Sequence, residues 1–298
     1  MLSKSKFIGG WQCEKRAYLT ANDPKLATPP DAATRARFAA GTRFGELART
    51  SWPNGILISS PAFRHDDAVN KTKKLLKDPN IEVIFEAGFT ALDTRVRADV
   101  MIRKSGCDTW DLVEVKSSTS PKLVHDMDLA IQRVVLEASG VNIESTKLML
   151  IDTTYVRSNG GLDLAELFKI IDRTAEVSIL MPDISPLVDR LHEVVDSGTE
   201  PTVPIGPHCA EPYGCDFFAY CTSDRPENWV MYVPGFGLSR VQKLEATGVV
   251  ATDQISSDEQ LNELQKRAVE SSKSGDIWIS EDISTTIANI AFPLRFID

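Results

Sequence analysis

Between Ile81 and Lys116 the chain passes through three β-rich segments in close succession, and the last ends on a charged pair inside an apolar run. Ile81 to Phe89 is rich in β-formers, Arg95 to Arg103 alternates, and Trp110 to Val115 is mostly apolar or aromatic around Asp111. These patterns predict strands, with Ser105-Gly106 turning the second onto the third as an antiparallel hairpin. Side chains alternate across a strand, so Glu114 and Lys116 share one face while Val113 and Val115 point the other way. The hairpin would bring Asp99, in Val96-Arg97-Ala98-Asp99-Val100, beside Glu114. Two carboxylates at one end of a sheet form a hard oxygen site suited to Mg²⁺ or Mn²⁺. Such an ion polarises a phosphoryl oxygen and acidifies a bound water, and Lys116 beside it would steady developing negative charge.

The flanking segments read mainly as helices. Lys4 to Leu19 has roughly helical spacing, Asp31 caps a helix through Ala48 with Phe38, Phe44 and Leu47 on its apolar side, and Asp66 to Leu76 is another. Lys122 to Ala138 is amphipathic, Lys147 to Thr153 is a further strand that Tyr155-Val156-Arg157 would extend, and Leu162 to Val195 is mostly helix interrupted at Met181-Pro182. This order predicts an α/β sandwich built on a mixed sheet.

With 298 residues and 42% apolar content, the chain is long enough for a full core and one or two domains. The net charge of −9 argues against a surface that grips nucleic acid all over, so any such binding is confined to a groove. The N-terminus lacks an apolar signal core and no run approaches membrane-span length, which points to a cytoplasmic protein with no membrane partner.

Five cysteines in a reducing compartment serve more often as ligands or plain thiols than as disulfides. Cys13 stands near the N-terminus, and Cys209, Cys215 and Cys221 stand together with Pro and Gly between them. Thiolates at loop spacing suit a soft metal centre. Zinc is the default for four thiolates, with His208 able to join a three-cysteine site, but paired Cys-x-x-Cys knuckles are absent. Cys107 lies in a turn and receives no role.

Val96-Arg97-Ala98-Asp99 followed by Trp110 to Ser118 resembles the PD-(D/E)xK nuclease superfamily, and most of all its RecB-like exonuclease branch. The resemblance implies a restriction-endonuclease-like mixed sheet flanked by helices. Asp99 and Glu114 would be metal ligands, the Val115 carbonyl would help, and Lys116 would support the attacking water. The branch carries a Gln-x-x-x-Tyr pattern on the following helix; Gln132 matches its glutamine, while Leu136 stands at the tyrosine position. The branch's early-helix histidine is missing near Gly41 to Glu46, so Glu46 is a substitute candidate, and Glu86 is a further candidate ligand. One N-terminal and three C-terminal cysteines resemble the iron–sulfur subset, which includes CRISPR-associated exonucleases. That implies a [4Fe–4S] cluster on Cys13, Cys209, Cys215 and Cys221, stapling the ends of the nuclease region.

Further on, Val233-Pro234-Gly235-Phe236-Gly237-Leu238 is similar to a helix–hairpin–helix motif, whose glycine turn exposes N–H groups to a phosphate. Phe292 to Asp298 resembles the first strand of a DnaQ-like exonuclease domain, truncated. The expected division is therefore a nuclease domain over 1–222, a small helical module over 223–275 and a tail over 276–298. The expected function is metal-dependent DNA cleavage, as an exonuclease on single-stranded ends. The alternative is a catalytically idle nucleic-acid or protein binding module of a larger DNA-repair or defence system. Arg95, Arg97, Lys122 and Arg133 would line the DNA groove, with Gly235 and Gly237 as backbone contacts.

Overall fold

A computed structural model describes residues 1–157, 162–291 and 293–295. The chain falls into two compact units, Met1–Val203 with Gly214–Phe218, and Pro204–Tyr213 with Ala219–Asp298. The cysteine-rich segment therefore contributes to both, whereas the sequence-based division kept it within 1–222.

The first unit is built on one mixed sheet. Its strands are β1 (Leu2–Ser3), β2 (Ile56–Leu57), β3 (Val83–Ala91), β4 (Thr94–Arg103), β5 (Trp110–Val115), β6 (Ile143–Ile151) and β7 (Phe168–Asp172). They run in the order β2-β3-β4-β5-β6-β7, with β1 pairing β4. The pairs β3–β4, β4–β5 and β6–β7 are antiparallel, while β5–β6 is parallel because helix α5 (Leu123–Ala138) crosses over between them. The β4–β5 hairpin turns at Gly106, whose φ of +73° suits glycine. Helices α1 (Lys4–Gln12), α2 (Glu14–Asn22), α3 (Ala32–Arg49), α4 (His65–Leu76), α6 (Leu164–Leu167) and α7 (Thr174–Asp196) complete the unit.

Both sheet faces are covered. The larger core holds Leu112, Leu148 and Leu150 of the sheet with Leu129 and Ile131 of α5 and Ile184 and Leu191 of α7. The opposite face packs Val83, Phe85, Val113 and Met149 against Ala48, Phe44 and Leu47 from the end of α3. A strand wedged between two apolar layers explains why β5 reads as a nearly continuous apolar run.

Several expectations change. The opening segment is two helices, because Cys13 adopts φ −162° and ψ 122° between α1 and α2. Leu162 to Val195 is mostly helix as expected, but Phe168–Asp172 within it pairs with β6 as an edge strand. Helix α7 runs unbroken through Pro182 and Pro186. Two interior prolines cost about 3 kcal/mol each, but α7 buries Val177, Ile184, Val188, Leu191 and Val194, worth about 1.5–3 kcal/mol apiece. Burial outweighs the lost hydrogen bonds. Tyr155-Val156-Arg157 does not extend β6, and Phe38 is 65% exposed, off the core that Phe44 and Leu47 join. Of the expected terminal strand, Phe292 and residues 296–298 lie outside the described residues.

The second unit is helical, with α9 (Leu238–Ala246), α10 (Glu263–Ser274) and α11 (Ile283–Ala288); a one-turn helix α8 (Phe218–Cys221) precedes them. Asn262 and Gln265 form a reciprocal capping box at the start of α10, and Gly275, at φ +77°, ends it. Glu245 anchors the unit, accepting from Trp229 Nε1 at 2.8 Å and from Arg225 at 2.8 and 2.9 Å. No helix among the described residues is long and apolar enough to cross a membrane.

Candidate functional site

The sheet registers set three carboxylates in a row. Phe85 pairs with Val100 and Ala87 with Ala98, so Glu86 of β3 stands opposite Asp99 of β4. Val100 pairs with Val113, and continuing that register by one residue sets Asp99 opposite Glu114 of β5. Like charges directly across a sheet are destabilising. The backbone departs from regularity at the same place, for Glu86 has φ +57°. Ile84 and Ala87, three residues apart, join the same core layer, as do Ala98 and Met101. The pleat thus changes phase on both strands at this row. Arg97 braces the kink, donating to the carbonyls of Glu86 at 3.1 Å and Ser60 at 2.9 Å.

Glu114 lies at the carboxyl end of β5, beneath α5, and is 1% exposed. Its Oε1 meets Lys116 Nζ at 2.7 Å and Lys4 Nζ at 2.9 Å. Its Oε2 accepts from Gln132 Nε2 at 2.8 Å. Asp128, one turn before Gln132 on α5, takes the same two lysines, Lys116 at 2.6 Å and Lys4 at 3.2 Å. Asp99 Oδ2 accepts the backbone N–H of Val115 at 2.9 Å. Asp99, Glu114, Lys116 and Gln132, scattered over thirty-odd residues of sequence, therefore converge.

Electrostatics separate the carboxylates. Burial opposes ionisation of Glu114, but Lys116 and Lys4, with the Gln132 hydrogen bond, hold it well below the ordinary carboxylate range. Asp99 goes the other way, since burial and the Glu114 charge push it up to about 7 against weaker help from Lys4 and Lys116. Burial and Glu114 likewise raise Asp128, and burial raises Glu86 despite Arg49 and Arg97. Lys4 and Lys116 stay protonated, because their carboxylate neighbours outweigh burial.

Among the described residues, no group of three or more His, Cys, Asp or Glu side chains is arranged to hold a metal ion. A Mg²⁺ or Mn²⁺ ion does not need one, since such ions are commonly held by one or two carboxylates with waters. Asp99 and Glu114 have the right chemistry, and a divalent charge beside them would relieve the repulsion that raises Asp99.

The remaining candidates divide. Glu86 borders the row and faces Arg49 at 3.6 Å. Glu46 is exposed on α3, one turn before Arg49, and makes none of these contacts. Arg97 is committed to the two carbonyls above. Arg133 is held by Glu137 at 2.7 Å. Lys122, at the start of α5, and Arg95 are exposed. In the second unit Gly235 has φ +76° and Gly237 caps α9. Arg240 there stacks on Phe236 at 4.0 Å and pairs with Glu259 at 2.7 Å. In the first unit, burial raises the Cys215 thiol and neighbouring Cys13 adds to the shift. In the second, Cys209 Sγ lies 3.6 Å from His208 Nε2, and Cys221 ends α8.

Sequence reasoning missed Lys4, Asp128 and Arg49. Asp128 left a signal, because it and Gln132 are polar residues four apart on a helix that is otherwise largely apolar on its buried side. Lys4 left none, since only the fold brings it to a residue 110 positions away.

No family model and no curated protein matches the chain. Among solved structures it aligns with the crystal structure of SSO0001 at 16% identity, over 68% of this chain and 78% of that one, with a TM-score of 0.27. Likeness at that level carries no argument about fold or activity.

Proposed function

We propose that the first unit is a metal-dependent nuclease of the PD-(D/E)xK type, hydrolysing phosphodiester bonds of DNA at single-stranded ends. The observation that carries this reading is the cross-strand row of carboxylates beside a buried lysine. A fold retains clustered, mutually repelling buried charges at a cost, and such clusters are concentrated at functional sites. Asp99 and Glu114, with the Val115 carbonyl, are the proposed holders of Mg²⁺ or Mn²⁺. When bound, the ion would supply Lewis acidity and lower the pKa of water. Lys116 presents an ammonium to the attacking water and to charge developing on the phosphate. Gln132 fixes the Glu114 carboxylate, and Asp128 holds Lys116 and Lys4 in place.

One observation favours a second reading, an idle nucleic-acid or protein binding module. Both oxygens of Glu114 are already engaged by Lys4, Lys116 and Gln132. Cleavage of single-stranded DNA with Mn²⁺ separates the two. The nuclease reading expects turnover by the wild type and its loss in Lys116→Ala; equal background cleavage by both leaves only the binding module.

Cys13, Cys209, Cys215 and Cys221 are proposed to hold a [4Fe–4S] cluster, with zinc as the alternative. The support is the donor set itself, four thiols in a chain with only one other. Anaerobic purification should give brown protein, whereas colourless protein with stoichiometric zinc assigns zinc instead.

A further inference from the structure

Two of the arginines expected to line a groove are committed within the fold, Arg97 to backbone carbonyls and Arg133 to Glu137. A larger basic surface stands on α3. Its 18 residues include Arg35, Arg37, Arg43 and Arg49, and their one acid is Glu46 in the last turn. In a chain of net charge −9 that excess is local. Arg35, Arg37 and Arg43 are exposed. Arg35 and Arg37 make only local hydrogen bonds, to Pro30 O at 2.5 Å and Thr34 Oγ1 at 2.8 Å. Arg43 has no hydrogen-bond or ion-pair partner among the described residues.

Arg35, Phe38, Thr42, Gly45 and Arg49 are spaced alternately three and four apart, so they form one stripe along the helix. Phe44, Leu47 and Ala48 lie on the other side, against the sheet. Along the stripe Phe38 is 65% exposed, and a Cβ at Gly45 would meet no atom within 4 Å. The stripe is therefore open. It runs about 21 Å from Arg35 to Arg49 at 1.5 Å per residue, and it ends where Arg49 faces Glu86 of the carboxylate row at 3.6 Å. A lone exposed phenylalanine is ordinary on a protein surface. A ring set between cations, on an open track that ends at a candidate active site, is not. Such a track suits a single nucleic-acid strand, whose bases stack on the ring whatever their sequence while its phosphates meet the arginines. A duplex keeps its bases stacked inside, and an apolar protein partner would bury the arginines unpaired.

We propose that this stripe of α3 is the track along which single-stranded DNA reaches the candidate site, with Phe38 stacking on a base and Arg35 and Arg43 meeting the flanking phosphates. The proposal rests on the nuclease reading and adds to it the surface that selects single strands. Arg49 joins the track to the carboxylate row.

The test uses the full chain in EDTA, with binding of fluorescein-labelled single-stranded oligothymidylate and of a blunt duplex of the same length read by anisotropy. Phe38→Ala should weaken single-strand binding roughly 5- to 100-fold, the scale of one lost base stack, and leave duplex binding as it was. Phe38→Trp should bind at least as well as wild type, whereas Phe38→Leu, apolar but without a ring, should be as weak as Phe38→Ala. Arg35→Gln and Arg43→Gln should each reduce the salt slope by about 0.7. These side chains are exposed, so melting temperatures should stay near that of wild type. Phe38→Ala or Phe38→Leu that binds the single strand like wild type overturns the track. So does wild type that self-associates in sedimentation through Phe38 with DNA binding untouched, which assigns the face to a second copy. Either result leaves the nuclease reading standing if wild type cleaves with Mn²⁺ and Lys116→Ala does not. Wild type that neither binds the oligonucleotide nor cleaves it with Mn²⁺ removes both.

Discussion

Strand β5 carries two buried carboxylates, and they are treated in opposite ways. Asp111, 4% exposed, accepts from Ser145 Oγ at 2.6 Å on one oxygen and from Lys147 Nζ at 2.6 Å on the other. Three residues later Glu114 shares Lys4 and Lys116 with Asp128 and stands across from Asp99, itself across from Glu86. The first carboxylate is matched by its own partners. The second sits among more negative groups than the two lysines can satisfy. A buried charge matched by dedicated partners is an element of structure, whereas a surplus of one sign kept in a fold marks a place prepared for something that brings the opposite charge.

Breaking the matched end should cost the most in stability. Asp111→Ala leaves Lys147 and Ser145 without their partner and should destabilise by about 3 kcal/mol in urea unfolding, with residual cleavage scaling only with the folded fraction. Lys116→Ala should lower cleavage about 10²- to 10³-fold, far more than the stability it loses by leaving buried Glu114 and Asp128 with Lys4 alone accounts for. If the two variants lose activity and stability in parallel, the distinction between the two ends of β5 collapses.

Asp99 sharpens the comparison through pH. Its folded pKa, near 7, lies above the ordinary carboxylate value of 3.8. The folded state therefore holds a proton that the unfolded chain has lost. The associated stability is complete below pH 3.8 and is lost as pH rises through about 7. Thermal melts between pH 5 and 8 should show this decline, Asp99→Asn should flatten it, and that variant should be more stable than wild type by about 1–2 kcal/mol at pH 8. Mn²⁺ should raise the wild-type melting temperature more at pH 8 than at pH 6, because the ion requires the ionised carboxylate. A melting curve insensitive to pH and Mn²⁺ would take away the electrostatic argument for the site. The smallest effect belongs to Glu46→Ala, which should stay within about 0.5 kcal/mol in stability and leave cleavage unchanged, since Arg49 and not Glu46 reaches the row.

Much of this was legible in the chain because it is local. Glu114 and Lys116 share a face by strand periodicity alone, and Gly106 with its neighbours announces the hairpin that carries Asp99 alongside. Helix α5 shows its buried face by its apolar spacing, and Gln132 interrupts that face in sequence as it does in space. The illegible parts are those where long-range burial overrides local preference. Phe168–Asp172 reads as helix until β6 offers a pairing edge, and Pro182 reads as a break until the apolar face of α7 is seen against the core. Cys13 reads as mid-helix, although the chain is extended there.

The sequence by itself determined the mixed α/β class, the β4–β5 hairpin and the pairing of Asp99 with Glu114 and Lys116, because strand alternation and turn chemistry act over a few residues. Only the tertiary structure decided that Lys4 and Asp128 complete the charged cluster and that Arg97 is spent on backbone carbonyls. Those outcomes depend on which groups reach one another once the sheet is covered on both faces, and the energy of a buried charge is set by its neighbours in space rather than in sequence.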